Sequence, residues 1–167
     1  MERYIYSLSP VIDKDAKVLI LGSIPGNKSL ETNQYYGNPR NHFWKIIFSV
    51  YEESGIEDYE KKLSFLKEHE IALWDVIYSC QRKGSLDSNI RVEVPNKLTE
   101  LIHEHRQLKL VIFNGTKAYN TFKKHFDMKM FTGVDFKKMP STSPIPGRFN
   151  KTIEGKIEDW KIIKEYS

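Results

Sequence analysis

The sequence predicts an α/β fold: a three-layer α/β/α sandwich built on a central four-stranded parallel sheet. Two observations carry this expectation. Four short apolar runs, at 17–21, 71–78, 108–113 and 136–140, are separated by helical patterns. The first three runs are rich in Val, Ile and Leu and show little polar alternation, as strands covered on both faces do. Strands that alternate with helices are joined by right-handed crossovers, which place helices against the sheet.

The fourth run is weaker and takes its assignment partly from its place in the order. Among the helices, 41–53 sets Phe43, Ile46, Ile47 and Val50 on one stripe, the spacing of an amphipathic helix. The stretches 59–70, 96–106 and 117–126 read similarly, and 157–166 makes a closing helix. Pro95 stands just before the third of these, where a proline near a helix start is tolerated. Ligands in such sheets bind at the carboxyl ends of the strands, so the segments after the apolar runs carry the information.

At 167 residues the chain is long enough for one domain with a sizeable core, and we expect a single domain over 1–167. Apolar residues at 40% and aromatics at 13% exclude a disordered chain. No apolar run approaches the roughly 20 residues of a membrane span, and Met1 to Pro10 shows no signal-peptide core. The single cysteine, Cys80, excludes an internal disulfide and suits a reducing, cytoplasmic setting. A net charge of +4 and a pI near 9.0 suit approach to a polyanion, though many soluble proteins are as basic. Five histidines without partnered spacing suggest no metal.

Three strand-end segments stand out. After the first strand, Gly22-Ser23-Ile24-Pro25-Gly26 makes a sharp turn that exposes backbone N–H groups, or is a plain strand-to-helix turn. With Lys28 and Ser29 it is also a near miss for a P-loop, with Asn27 at the second glycine position and Gly37 and Pro39 interrupting the helix a P-loop needs. Residues 71–75 resemble a Walker B strand, so nucleotide hydrolysis stays an alternative. Next, Tyr35-Tyr36-Gly37-Asn38-Pro39-Arg40-Asn41 offers stacking faces beside amides, although Asn41 taken alone reads first as the cap of the following helix. At the end of the third strand, Asn114 either presents its amide to a ligand or forms an Asx turn. After the fourth run, Ser141, Thr142 and Ser143 sit between prolines in a stiff loop suited to phosphate oxygens, with Ile145 held out as a wedge.

In combination these segments resemble the uracil-DNA glycosylase superfamily. Gly22-Ser-Ile-Pro-Gly26 is similar to the first motif of its mismatch-specific members, and Met139-Pro-Ser-Thr-Ser-Pro144 to the second. With Tyr36-Gly-Asn-Pro-Arg-Asn-His-Phe-Trp44, Leu73–Val76, Gly84–Asp87 and Phe113–Gly115, the set is most similar to the hypoxanthine-DNA glycosylase branch. The resemblance implies hydrolysis of the N-glycosidic bond of a deaminated base, hypoxanthine or uracil, flipped out of DNA to leave an abasic site. It departs at Ile24, where the mismatch-specific enzymes carry their catalytic asparagine; isoleucine cannot orient water.

The resemblance further implies that Asn41, with Asn38 as fallback, positions the attacking water. Tyr36 would stack on the base, Gly22, Ser23 and Ile24 would border it, and Asn114 would read its N–H and C=O. Ser141, Thr142, Ser143 and Arg148 would hold phosphates, and Ile145 would fill the gap in the helix. No cofactor or metal and a monomeric state are expected. A binding module for damaged DNA that has lost catalysis is the rival reading, motivated by Ile24.

Overall fold

The computed structural model describes residues 3–143 and 151–166. Its strands are β1 (Arg3–Tyr6), β2 (Val18–Gly22), β3 (Ile71–Asp75), β4 (Ile77–Arg82), β5 (Arg91–Pro95), β6 (Leu110–Asn114) and β7 (Asp135–Met139). Its helices are α1 (Asn27–Thr32), α2 (Phe43–Val50), α3 (Tyr59–Glu68), α4 (Leu98–Glu104), α5 (Thr116–His125) and α6 (Ile153–Trp160).

Four strands form one parallel sheet in the order β3-β2-β6-β7. Alternate residues of each inner strand face opposite layers, as the period of two requires. Val18, Ile20, Ile71, Leu73, Leu110 and Ile112 pack against α2, α3 and α6. Leu19, Leu21, Ala72, Val111 and Phe113 pack against α4 and α5 on the other side. This is the sandwich the sequence predicts. Strand β7 is the sheet's edge and exposes Asp135, Lys137 and Lys138, which is why its apolar signal is weak.

The apolar run at 71–78 is not one strand. It ends as β3 at Asp75, where the Val76 N–H donates to the Gly22 carbonyl, and resumes as β4 in a second sheet. That sheet, β1-β4-β5, is antiparallel and absent from the sequence reading. Its outer strands are short and expose Tyr4, Tyr6, Val92 and Val94, so they carry no continuous apolar run. Beneath it, Ile5, Ile24, Ile77, Cys80 and Ile90 form a separate small core.

Three helix boundaries also differ. The first loop does open into a helix, α1, but one of six residues. Helix α2 begins at Phe43 rather than at 41. The closing helix starts at Ile153, because the Thr152 hydroxyl accepts from the Gly155 N–H at 3.1 Å, and tightens into a 3-10 turn over Lys161–Glu165. Trp160 of α6 is fully buried, and its indole N–H reaches the Pro140 carbonyl at 3.3 Å, tying the helix to the loop after β7.

Candidate active site

Register places the site. Gly22 pairs with Asp75, and Leu21 with Phe113, so Asn114 reaches the same rim as Gly22 at the carboxyl ends of three adjacent strands. A cavity of about 180 Å³ opens there, bordered by Gly22, Ser23, Tyr36, Asn41, Asp75 and Asn114. The volume is below the several hundred Å³ that drug-sized ligands occupy and suits a single flat ring system.

Asn114 is held rigidly. Its Oδ1 accepts from the Thr142 backbone N–H at 2.9 Å, which fixes the orientation of the amide. Its Nδ2 then donates to the Thr142 hydroxyl at 3.0 Å and to the Tyr36 hydroxyl at 3.2 Å. Both donor hydrogens are thereby committed, and one lone pair on Oδ1 remains for a ligand. The expected reading of both an N–H and a C=O by Asn114 alone therefore meets only half its requirement. Thr142 is fully buried, and its hydroxyl serves Asn114 rather than facing a backbone phosphate. Ser141 and Ser143 border the cavity beside it. Ile145 and Arg148 lie outside the described residues.

Tyr36 adopts a left-handed backbone conformation with φ of 53°, uncommon for a bulky residue and maintained here by its surroundings. Its ring stacks on Phe43 at a centroid distance of 3.9 Å and an angle of 17°. Burial, the Asp75 carboxyl and the Asn114 contact leave its hydroxyl well above the usual phenol range, the last of these acting in the opposite sense. The Tyr36 hydroxyl is thus a neutral hydrogen-bonding group at the cavity wall.

Asn41 Oδ1 accepts from the Phe43 N–H at 2.9 Å, so it does tie down the start of α2. Its Nδ2 donates to no described residue, and the side chain borders the cavity. Capping and catalysis are compatible, since the helix contact fixes the amide and leaves a second Oδ1 lone pair. Asn38 also borders the cavity, but its Oδ1 is occupied by the Arg40 N–H at 3.0 Å in a turn. The His42 N–H donates to the Thr142 carbonyl at 3.0 Å, which joins this segment to the loop after β7. Ile24 is buried in the small core and offers the cavity no polar group.

Asp75, Asp87 and Arg82 carry no site role in the sequence analysis, although Asp75 and Asp87 stand within the stretches Leu73–Val76 and Gly84–Asp87 that carry the resemblance. Asp75, at the end of β3, is 5% exposed, and its Oδ2 has no hydrogen-bond partner among the described residues. Burial, then the charge of Asp87, push its carboxyl up to about 7, with Arg82 pulling the other way. Asp87 is itself raised by burial and accepts from the Ser23 hydroxyl at 2.8 Å. Arg82, 1% exposed, donates through Nε to the Gly84 carbonyl. The available signal was a lone aspartate ending an apolar strand, at odds with strand propensity. Among the described residues no group of three or more His, Cys, Asp or Glu is arranged to hold a metal.

Residues 9–164 match the family model of the uracil DNA glycosylase superfamily. The chain belongs to that superfamily. A hypoxanthine DNA glycosylase of Methanosarcina acetivorans is 39% identical over 155 residues, covering 92% of this chain and 93% of that protein. A second protein of that name, from Methanosarcina barkeri, is 42% identical over 110 residues, covering 65% of this chain and 70% of its own. A solution NMR structure from Methanosarcina acetivorans, described as a uracil DNA glycosylase, superposes with a TM-score of 0.81 at 35% identity over 97% of this chain and 99% of that one.

Superfamily membership displaces the nucleotide-hydrolase alternative, and the first loop agrees. The Asn27 N–H at the start of α1 is already taken by the Ser85 hydroxyl at 2.9 Å, and Lys28 lies beside Glu31 on the surface. A phosphate would find the Asn27 N–H taken, and α1, at six residues, is not the stable helix that the P-loop geometry requires.

Proposed function

We propose that this protein excises hypoxanthine from DNA, hydrolysing the bond between the base and the sugar to leave an abasic site. The observation that carries the proposal is the joint placement of Asn41 and Asn114 on one small cavity at the rim of the parallel sheet. The identity to named hypoxanthine DNA glycosylases supports the choice of base.

The base must leave the duplex first, at a cost of a few kcal/mol of stacking and pairing. Tyr36, backed by Phe43, offers an aromatic wall for the extruded ring. The free lone pair on Asn114 Oδ1 accepts from the ring N–H of hypoxanthine or uracil. Adenine has an acceptor at that position, and two facing lone pairs would leave a buried mismatch that discriminates strongly. Asn41 holds the attacking water through its second Oδ1 lone pair. Ser141 and Ser143 contact the strand beside the base. With amides rather than an ionised base at the water, the rate comes from positioning and from help to the leaving group. The buried, free thiol of Cys80 suits the reducing cytoplasm in which we place the protein.

The test is release of free base from duplexes carrying one deoxyinosine or deoxyuridine, against undamaged DNA. Deoxyinosine is cut in preference, and Asn41→Ala stops release while retaining affinity for the lesion duplex. Asn41→Ala cutting at the normal rate would remove Asn41 from the mechanism. Tight lesion binding with no release by the unaltered protein would instead favour a pure binding module.

A further inference from the structure

We propose that Asp75 is the catalytic acid of the site, donating a proton to an acceptor atom of the base as it leaves. This rests on the glycosylase reading above and adds to it the group that assists the leaving base.

Three features of the structure lead there. First, Asp75 borders the cavity yet is 5% exposed, and one carboxyl oxygen has no partner among the described residues, an arrangement that an ionised carboxylate tolerates poorly. Second, the residue opposite is a glycine. A Cβ on Gly22 would stand 2.6 Å from Asp75 Oδ1 and 3.5 Å from the Tyr36 hydroxyl, so its absence opens the space between those two oxygens. The edge of a base that approaches Gly22 there meets the carboxyl. Third, two of the neighbouring donors have separate tasks: Asn114 has spent both donor hydrogens, and Ser23 donates to Asp87.

Burial first, and then the groups facing Asp75, bring its titration to near neutral pH. Asp87 raises its pKa from the 3-10 turn over Asp87–Asn89, and Arg82 on β4 opposes it. Tyr35 and Tyr36, both shifted upward by burial and by Asp75, are uncharged, and Lys28 of α1 borders the same cavity. A carboxyl held at about 7 is half protonated at the pH where a general acid is most effective.

The step balances without a co-reactant. The Asp75 O–H bond breaks and its proton goes to a ring nitrogen or carbonyl oxygen of the base. The bond between C1′ and the base nitrogen breaks, and its electron pair leaves with the base, which departs neutral. Water held by Asn41 adds to C1′, and the proton it loses returns through solvent to the Asp75 carboxylate. A purine leaves poorly as an anion, so protonation is the assistance it needs.

The experiment is single-turnover release of hypoxanthine across pH 5 to 9, with binding to lesion DNA measured in parallel. For the unaltered protein the rate is highest at low pH and falls above about pH 7, to about 100-fold lower at pH 9 if only the acid form works. Asp75→Asn lowers the rate by about 10²- to 10⁴-fold, removes the pH dependence above 7 and leaves DNA affinity in place. Asp87→Asn takes away a neighbouring negative charge and moves the fall in rate to lower pH. A flat profile for the unaltered protein overturns the proposal, as does Asp75→Asn within threefold of it throughout. Should Asp75→Asn fail to fold, the Asp87→Asn profile decides, and an unmoved fall refutes the role of Asp75. No base release by the unaltered protein at any pH would instead refute the glycosylase reading itself.

Discussion

Asp75→Asn exchanges activity for stability, and the size of the gain follows from the burial of one carboxyl. Folding raises the Asp75 pKa from 3.8 to about 7, chiefly because burial disfavours the ionised form. At about 1.4 kcal/mol per pH unit, the gap makes about 4 kcal/mol. The folded pKa lies above the unfolded one, so the contribution is fully present below pH 3.8 and is lost as pH rises through 7. About 2.5 kcal/mol of that loss falls between pH 5 and pH 8.5. Asparagine has the same shape and no charge to desolvate, so the variant escapes this loss. For a chain of this length each kcal/mol moves the melting temperature by about 2–4 °C, so the variant gains about 5–10 °C on the unaltered protein between the two pH values. Thermal unfolding by circular dichroism in matched buffers reads it directly. A difference between the two proteins that does not change with pH would refute the reasoning, because burial of a titrating carboxyl is then not what separates them.

Two further outcomes follow from the same cavity wall. Asn114→Ala leaves the Thr142 N–H without its acceptor and the Tyr36 hydroxyl without its donor, costing about 1–3 kcal/mol per unpaired buried group, read as a lower melting temperature with loss of base release. Gly22→Ala drives a methyl into Asp75 Oδ1, so single-turnover release falls at least tenfold while binding of undamaged DNA, measured by fluorescence anisotropy, is unchanged.

The sandwich was legible because strands covered on both faces must be apolar through their middles, and 18–21, 71–74 and 110–113 are. The small sheet was illegible for the converse reason: Tyr4, Tyr6, Val92 and Val94 face outward, and the run at 71–78 conceals the turn at Val76. At the site, residue type drew attention to Asn114, Asn41 and Tyr36, but each amide had a structural use as well, a turn or a helix cap, and the roles expected of them came from the resemblance. Thr142 read as a phosphate ligand because hydroxyl side chains in a stiff loop look alike, and only the fold shows one of them turned inward to Asn114. Asp75 stood inside a motif of the resemblance, but nothing in the sequence gave its carboxyl a role. Its character comes from being 5% exposed, near Asp87 and beside a glycine fifty-three positions away, and none of these is local.

Ile24 ties these findings together. In the first loop Ile24 turns to structure instead: its side chain is part of the core shared with Ile5 of β1 and Ile77 and Cys80 of β4. That same small sheet carries Arg82 and leads through Gly84 to Asp87, the groups that set the protonation of Asp75. A loop that gives up its own water-binding residue thus helps to build a site in which the two chemical tasks are separated. In the proposed mechanism Asn41 at the start of α2 holds the water, and Asp75 at the end of β3 meets the leaving base, from two sides of one cavity. Such a division suits a purine in particular, because its departure depends more on acquiring a proton than on the strength of the nucleophile.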